Sequence, residues 1–149
     1  MTLKDQLASD LKDALRAGDE TRKSTIRMAT AAIKNAEVAA MKQLGDPEVI
    51  QVLARQVKQR RESIEEFQKA GRQDLVDKEK AEMAILQTYL PPSISREEIT
   101  AEAARVIEEV GAAGPADKGK VMQALMPRLA GRADGRDINE VVTQLLASR

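Results

Sequence analysis

The chain has no cysteine, no histidine and no tryptophan, and Phe67 and Tyr89 are its only aromatic residues. Without cysteine there is no disulfide, thiol nucleophile or thiolate metal site, a composition suited to a reducing compartment. Without histidine the usual general base, the Ser-His and Cys-His catalytic pairs and the commonest zinc ligand are absent. A Glu-x-x-His di-metal motif is excluded for the same reason. Net charge is also missing, because 24 basic side chains balance 24 acidic ones. No global field therefore draws the protein to nucleic acid or anionic membrane, and such binding must come from a local patch. No apolar run approaches the ~20 residues of a membrane span, and Met1-Thr-Leu-Lys-Asp5 lacks the apolar run of a secretory signal. These absences predict a cytoplasmic protein that makes no membrane contact.

What remains is aliphatic and charged. At 149 residues the chain can bury roughly two-thirds of its unfolded surface. Apolar spacing predicts seven helices and no strand, an all-α fold. Leu3, Leu7, Leu11 and Leu15 repeat every fourth residue up to Gly18, and Asp19 opens a second helix carrying Ile26, Ile33 and Met41. Asp46-Pro47-Glu48 reads as the start of a long third helix, with Asp46 as its cap. The apolar stripe of that helix, Val49, Leu53, Val57, Ile64 and Phe67, is interrupted by Arg60, which falls at a nominal core edge. A fourth helix with Leu75, Met83, Leu86 and Leu90 runs up to Pro91-Pro92, where no helix continues.

The tandem proline is the best boundary. It divides an amino-terminal multi-helix bundle, residues 1–91, from a small three-helix carboxy-terminal module, residues 92–149. Ser95-Arg-Glu-Glu98 predicts a capping box, with Ile94 and Ile99 as a hydrophobic staple. Val121, Met122, Leu125 and Leu129 mark the sixth helix, which Pro127 should kink or end. Asp137 and Glu140 read as the start of the seventh, which carries Val141, Val142, Leu145 and Leu146.

Little of this suggests catalysis. Gly114-Pro-Ala-Asp-Lys-Gly119-Lys120 has phosphate-loop spacing, but Val121 stands where a metal-binding Ser or Thr is needed and no strand precedes it. Glu62, Glu65, Glu66, Glu79 and Glu82 lie among lysines and arginines and read as a solvated, ion-paired face. No serine sits in a Gly-x-Ser-x-Gly elbow, and no cofactor is implied.

Two basic surfaces stand out. Arg55, Lys58, Arg60, Arg61, Lys69 and Arg72 lie on and just after the third helix. Lys118, Lys120, Arg128, Arg132 and Arg136 gather around the sixth, with Asp134 as the only acid between the ends of that set. The second set is the better phosphate candidate, since Gly119, Gly131 and Gly135 would let backbone N–H groups approach an anion. The competing reading is that Gly131 ends a helix, Asp134-Gly135 forms a turn and the arginines are solvated. With so few aromatics, a bound RNA would be recognised by shape and backbone rather than by base stacking.

The stretches Ala17-Gly-Asp-Glu-Thr-Arg22, Ile26-Arg-Met28, Ala32-Ile-Lys34, Val57-Lys-Gln-Arg60 with Glu62-Ser-Ile64, Gly71-Arg-Gln-Asp-Leu75, Tyr89-Leu-Pro91, Gly119-Lys-Val-Met122 and Gly131-Arg-Ala-Asp-Gly135 together resemble the GatB/YqeY family over essentially the whole chain. Lys118 departs from the pattern, which has an apolar Met between Asp117 and Gly119, and it adds a charge. The resemblance implies a helical bundle followed by a three-helix module like the tail of the B subunit of the glutamine-dependent tRNA amidotransferase. It further implies tRNA as a partner, amidotransferase subunits or another protein as the alternative, and a link to carbon–nitrogen ligase chemistry with glutamine as amide donor. No catalytic residue of the family has a matching position here.

Overall fold

The computed structural model describes residues 1–129 and 131–149, and these form seven α-helices and one 3-10 turn, with no strand. The fold is all-α. The chain divides into two compact units, Met1–Pro91 and Pro92–Arg149.

The first unit contains α1 (Leu3–Ala17), α2 (Glu20–Ala40), α3 (Asp46–Lys69) and α4 (Gln73–Gln87). Thr2 and Asp5 form a reciprocal capping box at the start of α1, and Gly18 closes that helix in the left-handed region at φ 69°. Asp19 then accepts the Arg22 N–H to start α2. Asp46 does not cap α3 as expected from its sequence. Gly45 occupies the cap position without a side-chain bond, and Asp46 is the first helical residue. Its carboxylate instead accepts the Leu3 N–H at 3.0 Å, satisfying an orphan donor at the start of α1.

Leu7, Ile26, Ala29, Ile33, Val49, Leu53, Val57, Leu86 and Tyr89 make the core of this unit. Each large aliphatic side chain removed from water contributes about 1.5–3 kcal/mol. Arg60 sits in the α3 stripe between buried Val57 and Ile64, only 6% exposed, and Glu82 of α4 is 4% exposed. The expectation of a solvated acidic face is therefore wrong for Glu82, and Glu79 is half-buried as well. Arg60 Nη1 donates to Glu79 Oε2 at 3.1 Å and to Glu82 Oε2, while Nη2 points at the Met28 sulfur, 3.8 Å away. Two carboxylates from the next helix make the guanidinium tolerable where an unpaired charge would not be.

The second unit contains α5 (Arg96–Val110), the 3-10 turn Pro115–Asp117, α6 (Lys118–Leu129) and α7 (Gly135–Ala147). Ser95 caps α5 by accepting the Glu98 N–H, one half of the expected capping box. Ile94 packs on the core beside Ile99, as a staple requires. The core is aliphatic throughout, drawing Ile99, Ala103, Val106 and Ile107 from α5, Val121, Leu125 and Leu129 from α6, and Ile138, Val141, Val142 and Leu146 from α7. Pro127 lies inside α6 rather than ending it at once. The last helix starts at Gly135, earlier than Asp137-Glu140 suggested, because Asp134 takes the cap and accepts the Arg136 N–H at 2.9 Å.

Candidate nucleic-acid interface

The five basic residues of the carboxy-terminal module do not share one face. Lys118 and Lys120 stand at the start of α6 and Arg128 near its end, ten positions and about 15 Å of helical rise later. Residues two apart on a helix point to opposite sides, so even the two lysines diverge. Lys118 begins the helix half-buried, whereas Lys120 is exposed. The phosphate-loop reading fails here for a physical reason as well. A 3-10 turn, not a strand, precedes α6, and Val121 is fully buried in the core.

Arg128 is occupied. Its Nη2 lies 2.5 Å from Glu109 Oε2, and its Nη1 lies 3.7 Å from Glu102 Oε2, both on α5. The Glu109 carboxylate raises the guanidinium pKa further above its ordinary value. The charge of Arg128 is therefore largely spent inside the module.

Arg132 and Arg136 flank the turn between α6 and α7. The turn is fixed by its own backbone: the Arg132 N–H donates to Leu129 O, the Arg132 carbonyl accepts the Ile94 N–H, and Gly131 adopts φ 76°. Two backbone N–H groups next to Gly131 and Gly135 are thus already bonded, that of Arg132 to Leu129 and that of Arg136 to Asp134. Both side chains are exposed. Among the described residues, Lys118, Lys120, Arg132 and Arg136 form no ion pair with a carboxylate. The cations available to an external anion are therefore a pair of lysines at one end of α6 and a pair of arginines at the other.

The basic set on and just after α3 thins in the same way. Arg60 is buried on Glu79 and Glu82, Lys69 pairs with Glu66 at 3.7 Å, and Arg72 pairs with Asp74 at 3.0 Å. Arg55 and Lys58 remain exposed on α3. Among the described residues no cluster of three or more His, Cys, Asp or Glu side chains is arranged to hold a metal ion, and no helix is long and apolar enough to cross a membrane.

The model of a family described as Yqey-like protein matches residues 4–146. Among curated proteins, the chain is 43% identical over 107 residues to "Altered inheritance of mitochondria protein 41, mitochondrial" of Eremothecium gossypii, covering 70% of this chain and 58% of that protein. The protein of the same name from Kluyveromyces lactis is 39% identical over 112 residues, covering 73% of this chain and 60% of its own. That from Pyrenophora tritici-repentis is 31% identical over 147 residues, covering 97% and 81%. The chain thus spans about three-fifths of the length of the first two relatives.

These names overturn the cytoplasmic expectation, since the relatives are described as mitochondrial. That expectation rested on the want of a long apolar run, which mitochondrial transit peptides, being amphipathic and Arg-rich, do not carry either. With a family match spanning nearly every residue and a relative aligned along almost the whole chain, the protein belongs to the Yqey-like protein family.

Proposed function

We propose that this is a tRNA-binding accessory protein that contacts phosphates through Lys118, Lys120, Arg132 and Arg136 and works beside an amidotransferase without a catalytic centre of its own. The observation that carries the reading is the set of four cations in the carboxy-terminal unit that have no carboxylate partner among the described residues, while nearby Arg128 is neutralised by Glu109. Cations left unpaired on a short module favour a polyanion, and two groups of them near opposite ends of α6 suit separate backbone phosphates on a folded RNA better than one small anion. The GatB/YqeY resemblance supplies tRNA as the RNA and the amidotransferase as its setting.

The test is binding of the full chain to folded tRNA across a salt series, beside an unrelated duplex RNA of equal length. Preferential, salt-sensitive tRNA binding that flattens when the four cations are changed to glutamine is the expected result. No binding at low salt overturns the reading.

A further inference from the structure

We infer that the outward face of α2 is a docking surface for an acidic amphipathic helix of a partner protein. This stands apart from RNA binding and uses different residues. Counting 100° per residue, Arg27, Met28, Ala31, Lys34 and Val38 fall within an arc of about 120° opposite the buried Ile26, Ala29 and Ile33. Val38 is 68% exposed, and Met28 is 52% exposed at the edge of this face, its sulfur turned inward to Arg60 Nη2 at 3.8 Å. Met41, just past the helix end, is 92% exposed and is held at φ 56°, the only positive-φ non-glycine among the described residues.

A single exposed apolar side chain is ordinary. Here they recur over three turns of one helix, about 16 Å from Arg27 to Val38, and end on a methionine that can repack against varied partners. An amphipathic helix of three or four turns matches that length.

Charge selects the occupant. After Glu20 the only acid on α2 is Glu37, and it is committed to Lys4 Nζ at 2.7 Å and to the Leu44 N–H at 2.8 Å. Arg27 and Lys34 form no salt bridge among the described residues, although Lys34 lies near enough to Glu37 to help Lys4 lower its pKa. A second copy of this chain paired through the same face would oppose two Arg27 and two Lys34 with no free acid between them, a like-charge arrangement that specific interfaces avoid. A helix with an apolar stripe and glutamate or aspartate flanks covers the apolar side chains and pairs both cations.

The test uses the full chain and two synthetic helical peptides of about 16 residues, identical in their leucine stripe but flanked by glutamate in one and lysine in the other. Binding is read by fluorescence anisotropy. The glutamate peptide is expected to bind at least about ten-fold more tightly, with Val38→Asp weakening it about ten-fold. Arg27→Glu with Lys34→Glu is expected to reverse the preference toward the lysine peptide. Because all three positions are exposed, the variants should keep the wild-type circular dichroism melt. Equal affinity for the two peptides, no saturable binding of either, or charge reversal without effect overturns the inference. So does self-association, or binding to phosphatidylserine vesicles or to tRNA, that Val38→Asp abolishes while the glutamate peptide is ignored.

Discussion

The Tyr89 hydroxyl donates to Asp10 Oδ2 at 2.5 Å, joining the exit of α4 to the middle of α1 across 79 positions of sequence. Asp10 also faces Arg22 of α2 at 3.6 Å, so one carboxylate ties three helices of the first unit together. Burial raises the Tyr89 pKa first, and the bond to Asp10 raises it further. The folded state therefore holds the phenolic proton where the unfolded chain releases it near pH ~10. Stability from this group is complete below about pH 10 and is lost as pH rises above it. Tyr89 is the only tyrosine and tryptophan is absent, so the tyrosinate absorbance of the chain titrates this one residue. Its midpoint in the native protein should lie well above the value in urea. Tyr89→Phe should cost about 1–3 kcal/mol at neutral pH and remove this part of the alkaline loss. Coincident midpoints in the folded and unfolded protein would refute the assignment.

Arg60→Ala should destabilise the first unit by about 3–5 kcal/mol, because it strands the buried Glu82 carboxylate. Replacing the pair together, as Arg60→Met with Glu82→Leu, should recover most of that loss, since well-packed apolar groups often match a buried ion pair. Urea unfolding followed by Tyr89 fluorescence reports the first unit alone. A double variant as unstable as Arg60→Ala would refute this account.

Two glycines in the second unit should respond with opposite signs. Gly131 holds φ 76°, so Gly131→Ala should cost about 1–2 kcal/mol. Gly119 lies in α6, and a Cβ built on it meets nothing within 4 Å. Gly119→Ala should therefore stabilise by up to about 1 kcal/mol. Thermal melts compare the two. If Gly119→Ala keeps its stability gain and still weakens RNA binding, its bare backbone is needed by the ligand.

In the RNA salt series, Arg132→Gln with Arg136→Gln should lower the slope by about 1.4–1.8, at ~0.7–0.9 per phosphate lost. Arg128→Gln should change it far less, because Glu109 already holds that guanidinium. Glu109→Gln should release Arg128 and steepen the slope. Equal effects of Arg128 and Arg132 substitutions would mean that the ion pair opens on binding.

The helices were legible in the sequence because their signals are local, and the errors mark where geometry accumulates. Leu3, Leu7, Leu11 and Leu15 read as one face, yet a four-residue step overshoots a turn by about 40°. By Leu15 the stripe has walked out to solvent, and Ala14 takes the buried position instead. The Arg60 interruption was visible, but its partners lie 19 and 22 residues away on the next helix, beyond any periodic pattern. The basic module shows the same limit. The sequence contained all five cations, while the capture of Arg128 by Glu102 and Glu109 depends on α5 and α6 lying side by side. Asp46 had the right residue type for a cap and was placed one position inside the helix, where it serves α1 instead.

Each core is assembled from one uninterrupted stretch of chain, the first ending at Pro91 and the second beginning at Pro92. A ribosome emits residues at about 5–20 per second, slower than a small helical bundle folds. The first unit can thus close its apolar surface before the second is complete. The buried Arg60 has both its partners, Glu79 and Glu82, within that first stretch, so its ion pairs need no residue of the second unit.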